Sequence, residues 1–318
     1  MKIVDLLVIK STEAGNVKNS KEILTFSRNA PNKYKVYSIP KRTAGLRTIA
    51  HPSKELKFYQ RILSDYFQKE LPIHNAAFAY RKGISIKDNA DKHRCNKYLL
   101  KMDFENFFNS ITPHLFHKRL IESNVQFSSE DFILIQQLCF WCPTKKHNGK
   151  LILSVGAPVS PVISNFIMYE FDKVVSKWCV SNNITYTRYA DDITFSTKIK
   201  DILFDVPAFI TSILKDKFLS SIQIKATKTI FSSKAHNRHI TGITITNDGK
   251  LSIGRERKRY ISSLIYQFKN NELSTEDILH LKGLLSFASH IEPVLIQRMI
   301  KKYSKETLVQ IKQFCKVN

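Results

Sequence analysis

Two apolar segments, Ile184–Tyr189 and Ile193–Thr197, are joined by a link so short that it must be a tight turn at Ala190-Asp191. Segments this short and this rich in β-branched and aromatic residues read as neighbouring strands. The turn therefore sets Asp191 and Asp192 side by side at the tip of a hairpin. Asp103 has a related position: it ends a short apolar strand, Tyr98–Met102, and is followed by Phe104, Phe107 and Phe108. An aspartate in a turn ordinarily caps nearby backbone amides. Carboxylates at the apolar ends of strands also suit hard Mg²⁺ ions, which take one or two carboxylates plus substrate phosphates. Two such ions, roughly 3.5–4 Å apart, can activate an attacking hydroxyl and stabilise a leaving oxygen.

Charge gives these carboxylates a context. The 318 residues carry 50 Lys+Arg against 27 Asp+Glu, a formal net charge of +23. An excess this large favours a polyanionic partner, with nucleic acid foremost, although surplus Lys also serves as a solvated surface. The 43% hydrophobic content, with 21 Phe and 12 Tyr, excludes a disordered chain. No stretch approaches the roughly 20 apolar residues of a membrane span, and no membrane association is expected. The opening MKIVDLLVIK is too short an apolar run for a signal peptide. Five Cys at irregular positions do not form a secreted disulfide framework. A cytoplasmic globular chain is expected.

Several familiar motifs fail. Gly249 and Gly254 have P-loop spacing, but Arg255 and Glu256 stand where Lys and Ser/Thr are required. HExxH is absent, and the His114/His117 and His236/His239 pairs have no obvious third ligand. Cys139-Phe140-Trp141-Cys142 is a lone CxxC, read as buried structure rather than zinc.

Residues 1–30 read as a polar helical extension. Residues 34–50 alternate around Pro40 and Gly45, giving two strands about a basic turn. Leu56, Tyr59, Ile62, Leu63, Tyr66 and Phe67 have helical spacing, and the period is helical again around 114–142 and 160–180. Toward the C-terminus, Ile261, Leu264, Ile265 and Phe268 share one helical face. A second helix starts near Ser274, with Asp277 three residues on, and a third at Pro293. The expected architecture is an α+β body closed by a small helical subdomain.

At Tyr189-Ala190-Asp191-Asp192 the sequence resembles reverse transcriptases, and other blocks follow in family order over about residues 34–300. Ile39-Pro40-Lys41 with Gly45-Leu46-Arg47 looks like their first fingers block. Asp103 to Phe108 matches the first palm motif, and Gly156-Ala157-Pro158-Val159-Ser160-Pro161 with Ser164-Asn165 is similar to the second. Lys228-Thr229 matches the pair after the catalytic hairpin, and Leu281 to Phe287 with Pro293 looks like a bacterial thumb. Asn89-Ala90-Asp91-Lys92-His93 fits the NAxxH element of retron enzymes, and Ile240-Thr241-Gly242 their VTG element, with Ile for Val. One departure stands out: many relatives have Pro-Gln-Gly where this chain has Ser154-Val155-Gly156. Val155 can neither donate nor accept a side-chain hydrogen bond, so the Gln contact to the nucleotide is lost or replaced.

The resemblance implies a right-hand polymerase: an N-terminal extension and fingers over 1–98, an antiparallel palm with helices over 99–245, and a helical thumb over 246–318. Residues of about 113–153 would contribute to the fingers. Asp103, Asp191 and Asp192 would hold two Mg²⁺ ions, with the Phe104 carbonyl as an extra ligand. Lys41 and Arg47 would cradle the dNTP triphosphate, Phe108 would exclude a ribose 2′-OH, and Lys228 would bind or protonate pyrophosphate. Asn89 and His93 belong to the RNA-binding elements. Arg255, Arg257, Lys258 and Arg259 lie in a stretch, 225–260, with nine Lys/Arg against Asp248 and Glu256, expected to grip RNA or RNA–DNA phosphates.

Similarity to retron enzymes further implies priming from a 2′-OH in a cognate structured non-coding RNA, giving branched msDNA. It also implies a role in anti-phage defence with a separately encoded effector protein. With the chain ending at the thumb, template trimming is expected to fall to a host RNase H. Other readings are a group II intron-like or diversity-generating reverse transcriptase, a non-catalytic RNA-binding scaffold, and an RNA polymerase. Phe108 speaks against the last.

Overall fold

The computed structural model describes residues 2–41, 45–146 and 148–315. It divides into two compact units interleaved along the chain: residues 1–82, 101–193 and 204–229 form the first, and residues 83–100, 194–203 and 230–318 the second.

The first unit begins with α1 (Ile3–Glu13) and α2 (Ser20–Ser27). The apolar stripe of α1 is buried through Ile3, Leu6 and Leu7, and the Ile3 amide donates to Asp131 Oδ1 at 2.7 Å. The N-terminal stretch is thus part of the core rather than a polar extension, because residues spaced i, i+3 and i+4 share one helix face. Strands β1 (Tyr34–Pro40) and β2 (Leu46–Pro52) pair antiparallel with Ile39 opposite Arg47, as the alternation predicts. Part of their connecting turn, residues 42–44, lies outside the described residues.

Helix α3 (Lys54–Glu70) is capped by Ser53, whose hydroxyl accepts from the Leu56 amide, and buries Leu56, Tyr59, Leu63 and Phe67. Phe67 meets Phe116 at 6.0 Å, and Phe116 meets Phe166 at 5.9 Å. Full burial of each such ring contributes about 2–3 kcal/mol. This aromatic layer, more than helix propensity, holds together α3, α6 (Pro113–Glu122) and α8 (Ser160–Ile167). Helix α7 (Ser129–Cys139), helix α9 (Tyr169–Ser181), the short α5 (Phe107–Ser110) and α10 (Val206–Phe218) complete the helices of this unit. Cys139 and Cys142 are both buried free thiols.

The second unit contains α4 (Ile86–His93), a three-stranded antiparallel sheet of β7 (Arg238–Ile240), β8 (Ile243–Ile245) and β9 (Leu251–Ser252), and four helices. These are α11 (Arg255–Lys269), α12 (Thr275–Ile291), α13 (Pro293–Tyr303) and α14 (Lys305–Gln313). Ser274 caps α12 by accepting from the Asp277 amide, and Pro293 occupies the first turn of α13. The core joins Ile261 and Ile265, Leu281 and Leu285, Leu295, Leu308 and Ile311 with Ile240, Ile243 and Ile245. The sequence reading anticipated three of these helices and missed α14.

A four-stranded sheet has the order β4-β5-β3-β6, where β3 is Tyr98–Asp103, β4 is Thr185–Tyr189, β5 is Asp192–Thr197 and β6 is Ile230–Ser233. Mixed helices and antiparallel sheets are thus present, as expected. Among the described residues, no helix is long and apolar enough to cross a membrane.

Candidate active site

Strand β3 ends at Asp103, which is only 7% exposed. The next amide, of Phe104, donates to the Asp191 carbonyl at 3.0 Å, and the Lys225 amide donates to the Asp103 carbonyl at 2.8 Å. These bonds tie the end of β3 to the hairpin turn on one side and to residue 225 on the other. At that turn Ala190 takes φ 57°, in the left-handed region, and Asp192 opens β5.

The three carboxylates converge. Loss of solvent, then the charge of Asp103, holds Asp191 above the ordinary carboxylate range. Asp192 is pushed up to about 7 by loss of solvent, then by the charges of Asp191 and Asp103 and by a hydrogen bond with the Asp103 carboxyl. Asp192 is nevertheless exposed, so solvent screens these charges in part. The proton belongs to the cluster rather than to one oxygen.

Lys228, on a short 3₁₀ turn (Ala226–Lys228), donates from Nζ to Asp103 Oδ2 at 2.7 Å. One ammonium bound to Asp103, amid three carboxylates, leaves negative charge uncompensated, and hard cations favour such oxygens. The donor set therefore fits a divalent ion completed by phosphate oxygens. Among the described residues no three His, Cys, Asp or Glu side chains are spaced as a ready metal cage. Lys228 meanwhile takes an Asp103 oxygen that such a cage would use.

Phe107 and Phe108 differ in their surroundings. Asn106 adopts φ 45° and turns the chain, so that Phe107 is buried and stacks on Phe104 at 5.3 Å. Phe108 is half-buried and faces Tyr80 at 6.5 Å. Tyr80, with φ 62° and nearly half exposed, lies near enough to Asp191 for that charge to raise its phenol pKa, adding to the larger effect of lost solvent. Nothing in the sequence around Tyr80 marks it, because a left-handed tyrosine has no local signature.

Arg47 is exposed on β2, and its charge acts on Asp191. Lys41 is also exposed; its amide donates to the Gly45 carbonyl, and no contact joins it to the aspartates among the described residues. At the departure from Pro-Gln-Gly, residues 154 and 155 are tied to Ala50 of β2. Ser154 Oγ donates to the Ala50 carbonyl at 2.7 Å, and the Ala50 amide donates to the Val155 carbonyl at 3.1 Å. Gly156 follows with φ 114°, where an added Cβ would come within 3.1 Å of Ile49 Cγ2.

The remaining candidates lie in the second unit. Asn89 and His93 are each 1% exposed, and His93 Nδ1 bonds Ser196 Oγ at 2.7 Å. Burial lowers the His93 pKa to about 3, so the ring is neutral. The structure thus gives both residues to packing of the unit and brings neither to its surface. Arg255, Arg257, Lys258 and Arg259 line a cleft of about 1230 Å³ with Lys234, and His236 and His239 add imidazoles. Lys258 is bound to Glu292 at 2.6 Å, and Arg257 donates to the Gly242 carbonyl and covers the Phe287 ring at 5.2 Å. Arg255 and Arg259 are exposed, with no ion pair among the described residues.

Residues 39–245 match the family model described as reverse transcriptase (RNA-dependent DNA polymerase). The chain is 49% identical to the Retron Ec83 reverse transcriptase of Escherichia coli over 92% of its own length and 94% of that protein. It is 33% identical to the Retron Ec73 reverse transcriptase of Escherichia coli, over 87% of this chain and 89% of the other. Among solved structures, a telomerase from Candida albicans in complex with a TWJ fragment of telomeric RNA aligns with TM-score 0.48 at 14% identity, covering 89% of this chain and 61% of that one.

Proposed function

Because the chain belongs to the retron reverse transcriptases and is an RNA-directed DNA polymerase, we propose that it copies part of a cognate structured non-coding RNA. Synthesis begins from a 2′-OH within that RNA, yields branched msDNA, and serves bacterial anti-phage defence with a separately encoded effector. The protein works in the cytoplasm, and a host RNase H trims the template. The observation that carries the catalytic part is the convergence of Asp103, Asp191 and Asp192, each raising or bonding its neighbours.

Asp103, Asp191 and Asp192 would hold two Mg²⁺ ions in this reading, with the Phe104 carbonyl as a further ligand. Bound there, the ions supply Lewis-acid activation of a hydroxyl and neutralise phosphate charge. Lys228, already on Asp103, is placed to bind a phosphate oxygen of the nucleotide or the pyrophosphate. Arg47, with Lys41, compensates triphosphate charge, and Phe108 closes the sugar side against a 2′-OH. The test is co-expression with the structured RNA encoded beside the gene, followed by isolation of nucleic acid. DNA covalently joined to RNA through a 2′ linkage is the expected product, and its absence from an enzyme active on simple primer–templates would overturn the retron-specific part.

Phosphates of the RNA or RNA–DNA strand occupy the cleft lined by Arg255 and Arg259. Each phosphate contact contributes roughly 0.7–0.9 to the slope of log affinity against log salt. Replacing both arginines with alanine should therefore flatten that slope by about 1.5 in a filter-binding titration. Lys258→Ala should change it little, since Glu292 already holds that ammonium. An unchanged slope in the double variant would remove the cleft from the RNA path.

A further inference from the structure

The Arg188 guanidinium is fully buried, and so is the Asp172 carboxylate it meets. Arg188 Nε donates to Asp172 Oδ1 at 2.9 Å and Oδ2 at 3.1 Å, and Nη2 donates to Oδ2 at 2.7 Å. The Tyr186 hydroxyl donates to the same carboxylate at 2.8 Å. Stability alone is a poor reason for such a pair, because well-packed apolar residues of similar volume often serve as well or better.

Nη1 sets the pair apart. It donates to the Ala190 carbonyl and to Asn165 Oδ1, both at 3.1 Å. Ala190 is the left-handed residue directly before Asp191. Asn165 Nδ2 donates in turn to the Ala79 carbonyl at 2.9 Å, next to Tyr80. The Arg188 backbone is fixed as well: its amide donates to the Ala76 carbonyl and its carbonyl accepts from the Phe78 amide, each at 2.7 Å. One side chain thus holds the turn that carries Asp191 and, through Asn165, the segment that leads to Tyr80. Only a planar fork of five N–H donors can do this, since lysine offers a single point charge.

We propose that Arg188 is a positioning residue: anchored by Asp172, its guanidinium fixes the Ala190 carbonyl and thereby sets Asp191 and Asp192 to receive a divalent cation. The proposal deepens the metal-site reading above and rests on it.

Binding of Mn²⁺ alone to the full chain, followed by electron paramagnetic resonance, tests the role without any turnover. Arg188→Lys keeps the charge and loses the fork. Its Mn²⁺ dissociation constant should rise about 10-fold, the Mg²⁺ concentration for half-maximal DNA synthesis should rise in step, and RNA affinity should stay unchanged. Asp172→Leu combined with Arg188→Met replaces the ion pair by apolar packing. If that double variant folds and binds Mn²⁺ like the wild type, the pair serves stability alone and the proposal falls. Asp191→Asn separates the two readings. Unchanged Mn²⁺ binding in Asp191→Asn overturns the metal site itself, whereas binding lost there but intact in Arg188→Lys overturns only the role of Arg188. Should Arg188→Lys not fold, Asn165→Ala removes one partner of Nη1, and the same weakening, or its absence, decides the matter.

Discussion

Asp191→Asn lowers DNA synthesis at least about 1,000-fold, the equivalent of roughly 4 kcal/mol of lost charge stabilisation, while leaving RNA affinity intact. The same substitution makes the metal-free protein more stable at pH 8. The sign follows from the raised carboxylate pKa values. Asp192 sits at about 7 in the folded chain, against roughly 3.9 when unfolded. Between those values the folded protein binds more protons than the unfolded one, so metal-free stability falls as pH rises through that window. Above about pH 7 the full repulsion remains. Removing the Asp191 charge relieves it, by on the order of 1 kcal/mol once solvent screening is allowed for. Thermal unfolding at pH 5.5 and pH 8, with and without Mg²⁺, checks all of this. Wild type should gain stability from Mg²⁺ and from acid, whereas Asp191→Asn should lose the gain from Mg²⁺ and keep only part of the gain from acid, because loss of solvent and the Asp103 charge still raise Asp192. An active Asp191→Asn enzyme would sink the site.

Phe108→Ala admits ribonucleotides. The ring is half-buried against Tyr80, and removing a steric wall of this size should improve incorporation of rNTP relative to dNTP on the order of 100-fold. Synthesis with dNTPs should fall far less. Phe107 provides the contrast, since it is buried and stacked on Phe104. Phe107→Ala leaves a cavity costing about 3–5 kcal/mol and should not alter sugar choice. Competition between rNTP and dNTP in a primer-extension assay reads both variants. Unaltered discrimination in a folded Phe108→Ala enzyme would move the gate elsewhere, with Tyr80 the neighbouring candidate.

What could be read from the sequence was local. The short link through Ala190 and Asp191 allows only a hairpin, and the helical spacing of Leu56, Tyr59, Leu63 and Phe67 leaves one buried face, so both were legible. Ser274 and Pro293 announced their helices through capping chemistry. Other features depend on partners distant in the chain. Nothing near Arg188 tells that Asp172 will neutralise it or that Asn165 will share its fork. Tyr80 gives no hint of its left-handed backbone. Asn89 and His93 were matched by motif, but burial is a property of the packed second unit and cannot be seen in an eight-residue helix. The terminal helix α14 was missed because its buried face is only Thr307, Leu308 and Ile311.

The interleaving of the two compact units along the chain has a consequence for how the chain matures on the ribosome. Neither unit is a continuous segment, so folding cannot proceed as one finished domain after another. Residues 83–100 emerge early but belong with a helical core whose last members are Leu308 and Ile311. Asp103 and Asp191 are synthesised well before Lys228, the ammonium that rests on Asp103. For that interval the nascent chain carries its crowded carboxylates without their counter-charge. Closing such long loops is slow, because loop entropy is spent before distant contacts return it. The neutralised carboxylate cluster is therefore a late product of translation.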